Sequence, residues 1–263
     1  MKQFNMDDSS RAHELNGMTH YVTLPTRGAH YSKDHPLFGQ ETIEIKMLTT
    51  KEEDILTNTS YIEKEVVLDK FLESIIVNKN IKHSILHDTD QMAILIASRV
   101  EAYGEDYPII INCQKCTEEY DHDIDLSSML KNEIESELET TGHGTSIVEL
   151  PKSQATLEFR NLLPFEAQSI EKTIERMKKN GINTSFVNEF YQRIIQSIDG
   201  NTDGEVIASF IKKMPIRDSR VLKRAYEGSI PRIDTNFQST CNACGHENKG
   251  GLPIQASFFF PEF

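Results

Sequence analysis

Four cysteines occur in the chain, and all four fall into two Cys-x-x-Cys pairs, Cys113-Gln114-Lys115-Cys116 and Cys241-Asn242-Ala243-Cys244. The two-residue gap lets both thiolates of a tight turn face one ion, and two such knuckles complete the tetrahedral sulfur set that zinc prefers. A chain with this pattern must bring together two segments that lie far apart, with residues 117–240 between them. The flanks suit that purpose. Ile109-Ile110-Ile111-Asn112 leads into the first pair as a strand, and Tyr120-Asp121-His122-Asp123-Ile124 leaves it with strand-like alternation. Ile233 to Gln238 precede the second pair in the same way, and Gly245 supplies the glycine that a tight knuckle favours. The expectation is one structural zinc per chain, held by Cys113, Cys116, Cys241 and Cys244.

Competing uses of the thiols fit less well. A thioredoxin-type pair sits at a helix N-terminus after a strand, whereas both pairs here lie between strand-like segments. Two disulfides do not suit a reducing compartment, and an iron–sulfur cluster is the third alternative. A catalytic zinc needs an open coordination position, which four thiolates do not leave. His246, two residues past Cys244, reads as a turn residue rather than a replacement ligand.

Composition sets the surroundings. The chain has 263 residues, 38% of them hydrophobic and 26% charged, as in globular proteins with a real core. No window approaches the roughly 18 apolar residues of a membrane helix. The N-terminal stretch lacks an apolar leader core, so a cytosolic protein is expected. The formal net charge is −13, a field that repels a phosphate backbone unless a basic patch is segregated on one face. The basic runs Arg176 to Lys179 and Lys212 to Arg224 read as solvated helix faces and helix C-termini.

The long gap between the knuckles contains a repeat of the segment that precedes the first one. Leu24-Pro25 is followed by Thr42-Ile43-Glu44-Ile45-Lys46-Met47-Leu48, a helical stretch from Thr49, an amphipathic helix near Val66 to Ile76, a helix Gln91 to Tyr103, and Cys113. Leu150-Pro151 is followed by Thr156-Leu157-Glu158-Phe159-Arg160-Asn161-Leu162, a helical stretch Pro164 to Lys179, an amphipathic helix Thr184 to Ile198, a helix Arg217 to Tyr226, and Cys241. Both strands alternate at period two, and apolar residues recur at spacing four in the helices. The fold class expected is therefore α+β, with two related strand-plus-helices halves, an approximate internal twofold, and a zinc-ribbon-like four-cysteine site joining them. The divisions are a flexible segment 1–19, a first repeat 20–126, a linker 127–147, and a second repeat 148–263 with an aromatic tail.

No catalytic constellation is evident. Glu52-Glu53-Asp54 is the acidic first turn of a helix, and Asp121 to Asp125 lacks the glycine and glutamate of a calcium loop, carrying Leu126 and Asn132 there. Gly-x-Ser-x-Gly, phosphate-loop and His-Glu-x-x-His patterns are absent, and Gly142-His143-Gly144-Thr145 reads as a loop. The expectation is a protein that is not an enzyme. At the C-terminus, Phe258, Phe259, Phe260 and Phe263 would form an aromatic patch too large to leave wet, which either packs internally or docks on a partner.

These segments together resemble the baseplate hub and hub-assembly proteins of T-even-type contractile-tailed bacteriophages. The resemblance is carried by Leu24-Pro25-Thr26-Arg27-Gly28, Tyr31, His35-Pro36-Leu37 and the run from Ile43 through Thr49-Thr50-Lys51-Glu52-Glu53-Asp54-Ile55-Leu56-Thr57-Asn58. Asp69-Lys70, Glu73 to Ile76, the Ala93 to Gly104 helix, the first cysteine pair and Phe258 to Pro261 add to it. It implies a non-enzymatic late tail protein acting in baseplate hub structure or assembly, in the host cytoplasm during assembly and either retained in the virion tail or acting only as an assembly factor, with other hub proteins as partners. The acidic charge and the lack of a segregated basic patch lead to the expectation of no nucleic acid partner. The alternative is a zinc-ribbon adaptor binding nucleic acid or a polymerase, and a second is a hydrolase with a metal at Asp121, His122 and Asp123.

Overall fold

The computed structural model describes residues 18–179 and 185–260. The N-terminal segment expected to be flexible lies, up to residue 17, outside the described residues. Strand β1 (Thr19–Thr23) pairs antiparallel with β2 (Thr42–Lys46), Thr19 opposite Lys46. The helices Thr50–Leu56, Thr59–Glu63 and Val67–Ile75 follow. Ile76 then bridges back to Ile45. The long helix Asp88–Tyr103 leads into the hairpin of β3 (Asp106–Asn112) and β4 (Glu119–Asp125).

The second part of the chain runs through similar steps. Strand β6 (Thr145–Glu149) pairs antiparallel with β7 (Thr156–Arg160), Thr145 opposite Arg160. Helices Pro164–Lys179 and Phe186–Ile194 follow, and the latter passes directly into β8 (Ile195–Ile198), which pairs with β7. Helix Gly204–Lys213 comes next, where the first part has only the short 3-10 turn His83–Ile85 among the described residues. Helix Ile216–Gly228 then leads to the hairpin of β10 (Asn236–Thr240) and β11 (Glu247–Gly251). Between the two parts, the short helix Leu126–Lys131 precedes β5 (Glu133–Ile134), which pairs with β9 (Arg232–Ile233).

A threonine–glutamate bond recurs at the same register in both parts. Thr19 Oγ1 donates to Glu44 Oε1 at 2.6 Å, and Thr145 Oγ1 donates to Glu158 Oε1 at 2.6 Å. After each Leu-Pro pair the chain is tied to an aspartate in the first turn of the long helix. Thr26 donates to Asp90 from its backbone N at 3.1 Å and from its hydroxyl at 2.7 Å, while Lys152 and Ser153 donate backbone N–H groups to Asp218 at 2.8 Å each. Both carboxylates are fully buried. Each strand–helix junction is closed by a glutamate three residues into the helix, where it accepts an otherwise orphan N–H. Thr49 N donates to Glu52, and Leu163 N donates to Glu166.

Two hydrophobic cores result. One gathers Leu24, Ile43, Ile45, Phe71, Leu72, Ile75 and Ile94, and the other Leu157, Phe159, Tyr191, Ile194 and Leu222. The last segment crosses between them: Ile233, Leu252, Phe258 and Phe259 belong to the first core. The Phe259 ring lies 4.6 Å from Phe71 and the Phe258 ring 5.2 Å from Tyr107. The aromatic tail therefore differs from a free docking patch. Phe258 and Phe259 are fully buried as members of the first core, where the returning tail adds their apolar area. Phe260 is half-buried, and Phe263 lies outside the described residues.

The amphipathic helix expected from Thr184 to Ile198 ends at Ile194. Ile195-Gln196-Ser197-Ile198 forms a strand instead, because β7 offers an open edge and β-branched residues fit a half-buried pleat.

Candidate metal centre

Each cysteine pair sits in the turn of a two-stranded hairpin, and the two turns are built alike. Cys113 N donates to Glu118 O and Thr117 N to Cys113 O, both at 2.9 Å. In the other knuckle Cys241 N donates to His246 O and Gly245 N to Cys241 O, again at 2.9 Å. The residue after each second cysteine is left-handed, Thr117 at φ +61° and Gly245 at +69°. Glycine takes that conformation without strain; threonine holds it in the first knuckle against its usual preference.

The hairpins face each other so that all four sulfurs lie within 4.8 Å of one another, and none is in a disulfide. The closest cross-knuckle distances are 3.7 Å, Cys113 to Cys244 and Cys116 to Cys241. A tetrahedral ion with metal–sulfur bonds of about 2.3 Å requires sulfurs roughly 3.8 Å apart, a spacing that both 3.7 Å cross-knuckle pairs meet. Cys113 and Cys241 are buried, Cys244 is half-buried and Cys116 is exposed, so one edge of the cluster opens to solvent.

The surroundings favour one thiolate in the first knuckle, at Cys113; at Cys116 the Glu118 N–H is outweighed by the bond with Cys244, by burial and by the other two sulfurs, and the thiol is pushed up to about 12. Backbone N–H donation at Cys116, and next at Lys115, with help from the Asn248 amide, brings the Cys113 thiol down to about 6 against the opposing effect of burial. Asn248, on β11, is 2% exposed and accepts from Gln114 N at 3.0 Å while donating to Tyr120 Oη at 2.9 Å. Tyr120 Oη is 2.7 Å from Ser239 Oγ. These bonds join the knuckles through protein atoms as well as through the sulfurs, in the manner of an outer shell that orients ligands.

The other sequence candidates do not assemble into a site. His246 is half-buried and outside the sulfur cluster, which among the described residues is the one group of His, Cys, Asp and Glu close enough to hold an ion. Asp121 and Asp123 are exposed on β4, and His122 between them points to the opposite face, so the three do not converge. His143 is exposed but borders a cavity of about 310 Å³ that sequence reasoning missed, also lined by His30, His35, His87, Arg160 and Glu166. Tyr31 stacks on His35 at 4.1 Å and leans on His87 at 4.7 Å. Burial drives His30 and His87 down to about 4, so both are neutral near pH 7. Separate positions in the sequence, at 30, 35, 87 and 143, gave no sign that they meet.

No helix among the described residues is long and apolar enough to cross a membrane. Neither a curated protein nor a solved structure matches the chain. The family model described as T4 bacteriophage base plate protein matches residues 28–260, from the loop after β1 to the end of the buried tail. With most of its length and both knuckles inside that match, the chain belongs to the T4 bacteriophage base plate protein family.

Proposed function

We propose that the protein is a non-enzymatic component of baseplate hub structure or assembly, folded around one structural zinc that clasps two related repeats. The observation that carries this reading is the convergence of four thiols from hairpins that lie 128 positions apart, Cys113 with Cys241 and Cys116 with Cys244. The donor set is all sulfur and leaves no coordination position for a substrate, which suits a structural ion. Zinc of this kind contributes on the order of 10 kcal/mol to folding, enough to hold two halves in register.

The repeats are residues 20–126 and 148–263, joined by 127–147, with the second repeat's tail returned onto the first repeat's core. The matching strand registers, the paired aspartates and the identical knuckle bonds support a duplication with an approximate twofold axis near the metal. Family membership implies association with other phage baseplate proteins, and hub proteins made late in infection are the partners proposed. Assembly in the host cytoplasm and a place in the tail baseplate follow from that reading, and nucleic acid has no part in it. Phe260 and Phe263 are the tail residues left for a partner contact.

The test is complementation of a phage lacking this gene product, with mass spectrometry of purified particles beside infected-cell lysate. A knuckle variant that fails to complement while particles lack a closed hub supports the reading. Normal hubs formed without the protein would contradict it.

A further inference from the structure

The helices that the repeat reading makes equivalent, Val67–Ile75 and Phe186–Ile194, differ in what covers them. Each opens on two apolar residues and sets a phenylalanine one turn further on: Val67, Leu68 and Phe71 in one, Phe186, Val187 and Phe190 in the other. On the first helix the C-terminal tail lies over this face. Phe259 packs on Phe71, and Ile254, Ala256 and Phe260 share a groove with Val67 and Leu68. Val67 is left 7% exposed.

Among the described residues nothing of the kind lies over the second helix. Phe186 is 51% and Val187 52% exposed. Helix Gly204–Lys213, packed beside it, adds exposed Val206 and half-buried Phe210, which line a shallow cavity with Glu205, Ser209 and Lys213. The charge here also departs from the rest of the molecule. Residues 145–228 carry 13 Lys and Arg against 11 Asp and Glu, in a chain with 28 against 41. Exposed Arg176, Lys178 and Lys179 end the helix that packs on Phe186–Ile194, and exposed Lys212 and Lys213 end Gly204–Lys213.

We propose that Phe186, Val187, Val206 and Phe210 form a docking surface for an acidic, aromatic-bearing segment of a partner protein, seated as the chain's own tail is seated on the first repeat. The proposal rests on the repeat reading above. Aromatic anchors entering an apolar face supply most of the binding energy of such contacts, and the lysine and arginine rim selects acidic flanks. A second copy of this chain is not the occupant, because its own Phe258 and Phe259 are fully buried in its first core.

The probe is a labelled synthetic peptide of residues 252–263, which combines four phenylalanines with Glu262 and a terminal carboxylate. It is titrated against the full zinc-loaded chain by fluorescence anisotropy. Saturable binding is expected, weakened by salt and reduced at least about tenfold by Val187→Asp or Val206→Asp, with no change for Ile62→Asp beside the first repeat's groove. Both test positions are exposed, so the variants should melt with the parent. Absence of peptide binding, equal binding by the variants, or loss with Ile62→Asp instead would overturn the proposal. So would an oligonucleotide that binds this face in preference to the peptide, or self-association abolished by Val187→Asp. Peptide binding lost in Val187→Asp by a protein whose two helices do not superpose would uphold the surface and refute the repeat. Superposed helices without peptide binding would do the reverse.

Discussion

Asp90 and Asp218 hold the same place, the third residue of a long helix, and both are fully buried, yet they are pushed in opposite directions. Burial acts to raise both. At Asp90 it prevails over the bonds from Tyr31 and Thr26 and lifts the carboxyl to about 6. At Asp218 the backbone N–H groups of Lys152 and Ser153 outweigh it, and the pKa falls below the ordinary 3.8. The third position of two helices thus carries two chemistries, set by how many fixed backbone amides meet each carboxylate, one from Thr26 at Asp90 and two at Asp218. Around Asp90 the other donors are the Tyr31 and Thr26 hydroxyls, and around Asp218 the Ser153 side chain and the Arg217 charge assist the amides.

The largest expected effect concerns the tail that only the first core receives. Phe259→Ala should cost about 3–5 kcal/mol, whereas Phe190→Ala, half-buried on helix Phe186–Ile194, should cost clearly less. Chemical denaturation of both variants measures this. Equal losses would mean that the tail adds no special support to the first core.

Next in size is a pH effect confined to the first part. His30 and His87 have folded values near 4 against an ordinary 6.5, so the unfolded chain binds more protons between those values. Stability should fall as pH drops through that window, by on the order of 3 kcal/mol for each fully buried histidine. Asp90, raised to about 6, acts the other way, since the folded state holds the extra proton between roughly pH 4 and 6. The groups facing this cluster are Tyr31, His35, Asp90, Arg160 and Glu166, and two histidines outweigh one carboxyl. A His30→Gln, His87→Gln variant should show a flatter fall between pH 6.5 and 4.5. An unchanged slope would place the acid sensitivity elsewhere.

A smaller contrast tests the aspartates themselves. Asp218→Asn sets an amide against two backbone donors and can satisfy only one well, a loss of about 1.5–3 kcal/mol at pH 7. Asp90→Asn should cost less, because hydroxyl donors reorient and the buried charge is removed. The comparison is read from denaturant midpoints, and a larger loss at Asp90 would reverse the assignment.

Much of this framework was legible in the residues. The β2 and β7 strands begin at Thr42 and Thr156 as period-two alternation implied, and Phe71, Ile75 and Ile194 lie on buried helix faces at spacing four. The cysteines were legible because few roles suit four thiols in two such pairs. The destination of the tail was not, since Phe258 and Phe259 read the same whether they enter a core or a partner. Ile195 to Ile198 continued a helical spacing by chance, and only the open edge of β7 made them a strand. The roles of Asp90 and Asp218 were hidden because a helix-opening aspartate is common on exposed surfaces, and nothing local marks one as buried.

The central claim is that both parts of the chain contribute to one zinc, and metal content per chain in the parent and in single Cys→Ser variants tests it most directly. One zinc per chain is expected in the parent, with metal content and melting temperature falling together in Cys113→Ser and in Cys241→Ser alike. Full zinc occupancy in Cys241→Ser, with an unchanged melt, would contradict it.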